Sequence, residues 1–186
     1  AYENAGLADW LDVMARDAQP TQLLVPEGRI LGDVARWLGV EGLAVGAIEQ
    51  RGALTVQVLP FVSQDQYDRL LWSCDFNAVR GEDSFVRAQW AARPMLWHIY
   101  QQEDDAHLDK LEAFLALYCQ SLSPAARVAL EGLWRAWNTG AGVAAAWILA
   151  LEHWPELQKH ADDWCLEQAS QADLASALVQ FYLNWI

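Results

Sequence analysis

Asp75-Phe-Asn-Ala-Val-Arg80-Gly-Glu82-Asp83-Ser84-Phe-Val-Arg87-Ala-Gln-Trp90 reads as a short apolar strand, a polar turn from Arg80 to Ser84, and the opening turns of an amphipathic helix. The turn gathers an arginine, a glycine, two carboxylates and a hydroxyl at a helix start. Unpaired amides and the positive end of the helix dipole favour an anion there. A strand end feeding a helix start is also where open α/β sheets hold their ligands. Asp83 is expected to be the N-cap, its carboxylate accepting backbone N–H bonds. Ser84 offers a hydroxyl near the free amides, and Arg80 can fork onto a phosphate. Glu82, which a pyrophosphate would repel, is expected to point toward a sugar hydroxyl or an incoming cation. Without a ligand the same residues make a solvated acidic cap, and spacing alone leaves both readings open.

The flanking sequence repeats the strand–helix alternation. A helical pattern over Leu7–Arg16 precedes a β run over Thr21–Val25, a helix over Arg29–Leu38 ending at Gly39, and a glycine-rich irregular segment from Val40 to Gly52. Leu54–Leu59 is a strand stopped by Pro60, and Ser63 caps a helix reaching about Trp72. Strands over Asp75–Val79 and Pro94–Ile99 bracket a helix over Asp83–Ala92. Such alternation predicts an α/β fold, with βαβ units and a parallel sheet. The right-handed crossover rule puts the carboxyl ends of its strands on one edge, so Pro60-Phe61, Arg80 to Ser84 and His98 to Tyr100 are expected to face one crevice.

Past residue 105 the pattern changes to helices alone, over about Ala106–Tyr118, Ser123–Trp137, Val143–Glu152, Pro155–Gln168 and Gln171–Trp185. The expected organisation is an α/β core over residues 1–105 with a helical segment over 106–186. Val179 to Ile186 is strongly apolar for a chain end. The chain opens on Ala1-Tyr2-Glu3-Asn4 and enters a helix at once, which reads as a piece of something longer.

Composition narrows the function classes. The 186 residues are 54% apolar and suffice for a substantial core. A net charge of −13, from 12 basic and 25 acidic residues, argues against a nucleic-acid partner. An anionic small ligand then needs a local basic pocket, which Arg80 and Arg87 can supply. Eleven tryptophans read chiefly as packing residues. Three widely spaced cysteines form no disulfide framework or zinc spacing, which points to a reducing, cytoplasmic setting. No apolar run reaches membrane-spanning length, so no membrane partner is expected. Dinucleotide and P-loop glycine motifs are absent, and Ser84 is not in a nucleophile elbow. His98 and His107 have no zinc spacing, and His153 and His160 read as helix-surface residues. No acidic motif calls for magnesium, so neither a metal nor a cofactor is expected.

The segment Arg80-Gly-Glu-Asp-Ser-Phe-Val-Arg-Ala-Gln-Trp90, followed by Pro94-Met-Leu-Trp-His-Ile-Tyr100 and Glu103-Asp-Asp-Ala-His107, closely resembles the arginine rhamnosyltransferases of bacterial elongation factor P, the EarP family. Leu24-Val-Pro-Glu-Gly-Arg29, Arg51-Gly-Ala-Leu54, Val58-Leu-Pro-Phe-Val-Ser-Gln-Asp65 and Tyr67-Asp-Arg-Leu-Leu-Trp72 fit as well. The resemblance runs along the whole chain and corresponds to the carboxyl half of such an enzyme. It implies a GT-B architecture, with two Rossmann-like domains facing a cleft, the carboxyl-side one holding dTDP-β-L-rhamnose. The sugar passes, with inversion, to a side-chain nitrogen of one arginine of elongation factor P. By the same resemblance Tyr2, Gln64, Arg80, Gly81, Glu82, Asp83 and Ser84 contact the nucleotide sugar, Phe61 stacks on thymine, and Glu82 is the catalytic carboxylate of this half. The final helix is expected to pack on an amino-terminal domain. The family's Asp-Asn-x-Gly-Asp motif, with its proposed base, is absent here, so this chain alone is expected not to turn over. The alternative is a noncatalytic nucleotide-binding or protein-interaction module.

Overall fold

The computed structural model describes residues 3–102 and 106–185. The first helix, α1 (Leu7–Arg16), buries Leu7, Trp10, Leu11 and Met14, one face at helical spacing. Strand β1 (Thr21–Pro26) follows, then α2 (Leu31–Leu38), which ends where Gly39 takes φ 78°. Strands β2 (Ile48–Arg51) and β3 (Leu54–Leu59) form a hairpin around Gly52. That glycine has φ 61°, and a Cβ there would lie 2.1 Å from the Ala15 carbonyl oxygen, so the turn docks against the end of α1 only because no side chain is present. Ala53 N–H donates to the same carbonyl at 2.9 Å.

Helix α3 (Gln64–Ser73) opens with the expected Ser63 cap, reciprocated by Gln66 in a capping box. Strand β4 (Asn77–Arg80), α4 (Glu82–Trp90) and β5 (Met95–His98) complete the α/β part. The helical part comprises α5 (Ala106–Tyr118), α6 (Pro124–Thr139), α7 (Val143–Glu152), α8 (Trp154–Ser170) and α9 (Leu174–Trp185).

The strands do not form the single parallel sheet that the alternation predicts. β3 pairs parallel with β1 (Thr21↔Leu54) and antiparallel with β2, while β4 and β5 form a separate parallel pair (Arg80↔His98). The segment expected to be irregular thus supplies an edge strand. All four β2 residues are exposed, so no alternation of apolar residues marks it in the sequence.

One side of β5 pairs with β4, and the other is closed by side chains of α6. Trp134 Nε1–H donates to the Met95 carbonyl at 2.9 Å, and Asn138 Nδ2 donates to the Trp97 carbonyl at 2.8 Å. Asn138 Oδ1 accepts from the Ile99 N–H at 2.9 Å. Six of the eleven tryptophans are buried, including Trp10, Trp97, Trp134 and Trp137. They gather in two aromatic groups: Trp10, Phe76, Trp137, Trp147 and Trp154 in one, Phe85, Trp97, Phe114, Tyr118, Trp134 and Trp164 in the other. His160, expected on a helix surface, is instead buried against the Tyr118 ring with Nδ1 3.1 Å from Ser121 Oγ. The long-range fold of α8 onto α5 decides this, not the local pattern. The helix α9 buries none of its residues, and Leu174, Phe181 and Trp185 are 76%, 66% and 81% exposed. Among the described residues no helix is long and apolar enough to cross a membrane.

Asn138→Ala would strand the buried Ile99 N–H and Trp97 carbonyl together. Its expected cost is about 3 kcal/mol, at roughly 1–3 kcal/mol per unsatisfied group, read as a lower urea midpoint with an unchanged slope.

Candidate functional site

The polar turn expected between Arg80 and Ser84 contracts to one residue. Arg80 ends β4, Glu82 begins α4, and Gly81 alone makes the junction. Gly81 has φ 68° and ψ −178°, a region that essentially only glycine occupies. The helix therefore starts two residues earlier than a capping Asp83 would require. Asp83 is not the N-cap: Gly81 is, and no side chain caps the helix. The first amides of α4 are left without a side-chain acceptor and face the end of β4, with the helix dipole behind them.

Each neighbouring side chain has a defined setting. The Gly81 carbonyl accepts from Trp97 Nε1–H at 3.0 Å, which pins the junction to β5. Trp97 stacks on Phe85 of α4 with ring centroids 4.1 Å apart. Arg80 is half-buried opposite His98, whose imidazole is 4% exposed. Burial, aided by the Arg80 charge, pushes the His98 pKa down to about 4, so it is neutral at pH 7. His107 is also buried, and its Nδ1 accepts from the Gln102 N–H at 3.3 Å.

Glu82 meets a cation that sequence reading did not anticipate. Lys110 Nζ of α5 donates to Glu82 Oε1 at 2.6 Å and sits 5.6 Å from the centre of the Trp97 ring. This hydrogen bond and the ammonium charge hold the Glu82 carboxyl below the usual carboxylate range. The pair is exposed, so it orients Glu82 more than it stabilises the fold. The two residues are 28 positions apart, and no local spacing rule links them.

Arg87 does not act as the available cation expected beside Arg80. Its Nε donates to Asp83 Oδ2 at 2.9 Å, and its Nη1 reaches both carboxylate oxygens of Asp68 at 2.9 and 2.8 Å. Burial raises the Tyr67 pKa, an effect the neighbouring Ser84 hydroxyl partly offsets. Through these contacts the first turn of α4 meets the first turns of α3. Gln64 is exposed at the start of α3, and Phe61 is 88% exposed in the loop before it, its ring faces available. Tyr2 lies outside the described residues. Two open cavities lie elsewhere: about 520 Å³ beside Asn4, Asp33 and Trp37, and about 360 Å³ beside Leu31, Val40 and Leu43. The candidate site is therefore an open strand-to-helix surface.

Residues 1–183 match the family model described as Elongation-Factor P (EF-P) rhamnosyltransferase EarP. The chain is 63% identical over 184 residues to a protein-arginine rhamnosyltransferase of Pseudomonas putida, a match covering 99% of this chain and 49% of that protein. It is 58% identical over 186 residues to one from Pseudomonas aeruginosa, covering 100% and 50%. With one from Shewanella oneidensis identity is 42% over 184 residues, covering 94% and 45%. The chain thus spans about half the length of the curated relatives it matches. A solved structure, reported as the structural basis for EarP-mediated arginine glycosylation of translation elongation factor EF-P, superposes with TM-score 0.90 at 60% identity, covering 100% of this chain and 59% of that one.

Two outcomes are expected of the junction. Gly81→Ala has room for its methyl but not the backbone conformation, and should lose about 1–3 kcal/mol of stability in denaturant titration. Lys110→Met should raise the Glu82 carboxyl pKa toward the ordinary glutamate value, followed by carboxyl-carbon NMR against pH. The sign is set by the cation: with Lys110 present Glu82 stays charged to lower pH, and without it protonation begins higher.

Proposed function

Because the chain belongs to the EF-P rhamnosyltransferase EarP family, we propose that it is the donor-binding half of an inverting GT-B glycosyltransferase, with a Rossmann-like domain, that moves L-rhamnose from dTDP-β-L-rhamnose to an arginine of elongation factor P. The observation that carries this reading is the uncapped start of α4 one residue beyond β4, reached through a glycine-only conformation and flanked by Arg80. Backbone amides at a helix start favour a diphosphate, and the arginine fork matches its oxygens. Phe61, with both ring faces open, offers a platform for thymine, and Gln64 and Tyr2 add polar contacts to the nucleotide sugar. Asp83, turned toward Arg87, and Ser84, turned toward Tyr67, contribute their backbone amides.

Chemically, the acceptor presents the difficulty. A guanidinium has a pKa above 12, and full deprotonation near pH 7 would cost roughly 7 kcal/mol at 1.36 per unit. The reaction avoids a free guanidine if proton loss accompanies bond making. A nitrogen lone pair forms the bond to the anomeric carbon, the bond to the diphosphate oxygen breaks, and the guanidinium proton passes to a carboxylate. Glu82, held charged at the junction, orients the incoming guanidinium, and Lys110 is the cation it exchanges for the substrate's. The departing dTDP gathers charge at Arg80 and the α4 amides, so the amides act on the leaving group. The proton acceptor belongs, in this reading, to the half of the relatives that this chain does not span. Helix α9, apolar and exposed, then packs on that half, and the enzyme works in the cytoplasm. The same exposed helix also suits the alternative of a noncatalytic interaction module, which makes no demand on Arg80.

Calorimetric titration separates the two. This chain should bind dTDP in preference to UDP-glucose, and Arg80→Ala should weaken dTDP binding by about 1.5–3 kcal/mol, as for a charged hydrogen bond. Equal affinity in a folded Arg80→Ala variant would remove Arg80 from the site. By mass spectrometry, this chain alone should leave elongation factor P unmodified.

A further inference from the structure

The two segments that the donor reading assigns to one ligand stand on different sheets. Phe61 and Gln64 follow β3, a member of the three-stranded sheet, whereas Gly81 to Ser84 follow β4, a member of the two-stranded pair. Among the described residues no backbone ladder joins the two sheets, so strand register does not set the distance from the base-stacking segment to the diphosphate segment. Side chains between α3 and α4 set it instead. Arg87 of α4 spans Asp68 of α3 and Asp83 of its own first turn, and Tyr67 of α3 meets Ser84. The Arg87 and Asp68 side chains are only 23% and 27% exposed, so this pair is better shielded from water and salt than the Lys110–Glu82 pair.

We propose that Arg87 is a positioning residue which, by clamping Asp68 and Asp83, holds α3 and the nucleobase platform that precedes it at the span a nucleoside diphosphate needs from the start of α4. The inference rests on the donor reading above. It differs from a direct phosphate contact in that the Nε and Nη1 donors of the arginine are engaged by the two aspartates. A ligand that reaches both segments gains from their fixed spacing, since its second contact is intramolecular once the first has formed. A ligand that touches only the α4 start gains nothing from it.

That difference supplies the test. This chain is titrated with dTDP and, separately, with inorganic pyrophosphate, following the backbone amides of Gly81 to Ser84 by NMR. In Arg87→Met, dTDP affinity should fall by about tenfold or more while pyrophosphate affinity stays within about twofold, as expected when effective concentration alone is lost. Arg87→Lys, which cannot span both carboxylates in the same geometry, should fall between. Asp68→Asn, which keeps the arginine and removes one arm of the clamp, should reproduce the selective loss of dTDP and serves where Arg87→Met does not fold. A parallel loss of both ligands would mean that Arg87 touches phosphate or merely supports the helix, and unchanged dTDP affinity would mean that the clamp sets nothing; either overturns the proposal. If the unsubstituted chain bound pyrophosphate but not dTDP, the donor reading itself would fall, and the clamp with it.

Discussion

The open edge of β5 is the constraint on which the other parts depend. A two-stranded pair leaves one row of backbone groups on each strand without a strand partner, and burying such groups unpaired costs roughly 1–3 kcal/mol each. Helix α6 meets that requirement with two side chains, the Trp134 indole and the Asn138 carboxamide, which between them engage Met95, Trp97 and Ile99. The helical part of the chain is therefore not an appendage. It completes the sheet that presents the candidate site.

From that edge the structure can be followed to the site in contacts. Trp97 has its carbonyl held by Asn138 and its indole N–H on the Gly81 carbonyl, so one residue connects the helical layer to the strand-to-helix junction. Its ring stacks on Phe85 of α4 and lies below the Lys110 ammonium, which holds Glu82. Phe114 and Trp134 extend the same aromatic group behind α4. Large rigid rings suit this task, since they fix geometry while losing little rotamer freedom. The high tryptophan content thus acts at the site through packing, with no buried ring required to touch a ligand.

Electrostatics resolve a tension in the composition. A chain of net charge −13 offers a poor general field for an anion, and α4 begins with two carboxylates. Each is paired with a cation: Lys110 with Glu82, and Arg87, shared with Asp68, with Asp83. With those charges partly offset locally, the uncapped amides and the helix dipole act at short range, where a distant acidic surface is screened at a Debye length of about 8 Å in physiological salt.

Much of the element order was legible from local pattern. Ala106–Tyr118, Val143–Glu152 and Leu54–Leu59 fall where apolar periodicity alone puts them, and Ser63 caps α3 as expected. The candidate site was legible as a segment, Arg80 to Ser84, because a glycine between a strand and a helix carries its own conformational meaning. Which residue caps that helix was not, since Asp83 had a better partner in Arg87. Nor could local pattern reveal the exposed strand β2, which has no buried face to mark it, or the burial of His160. The sequence by itself determined most of the elements, the family and the candidate stretch for the chemistry, because periodicity, caps and glycine conformations act between residues a few positions apart. Only the tertiary structure decided that the strands split into two sheets, that Asn138 closes β5, and that Lys110 meets Glu82 and Asp68 meets Arg87. Those pairs lie 19 to 41 residues apart, and such partners are chosen by how the layers pack.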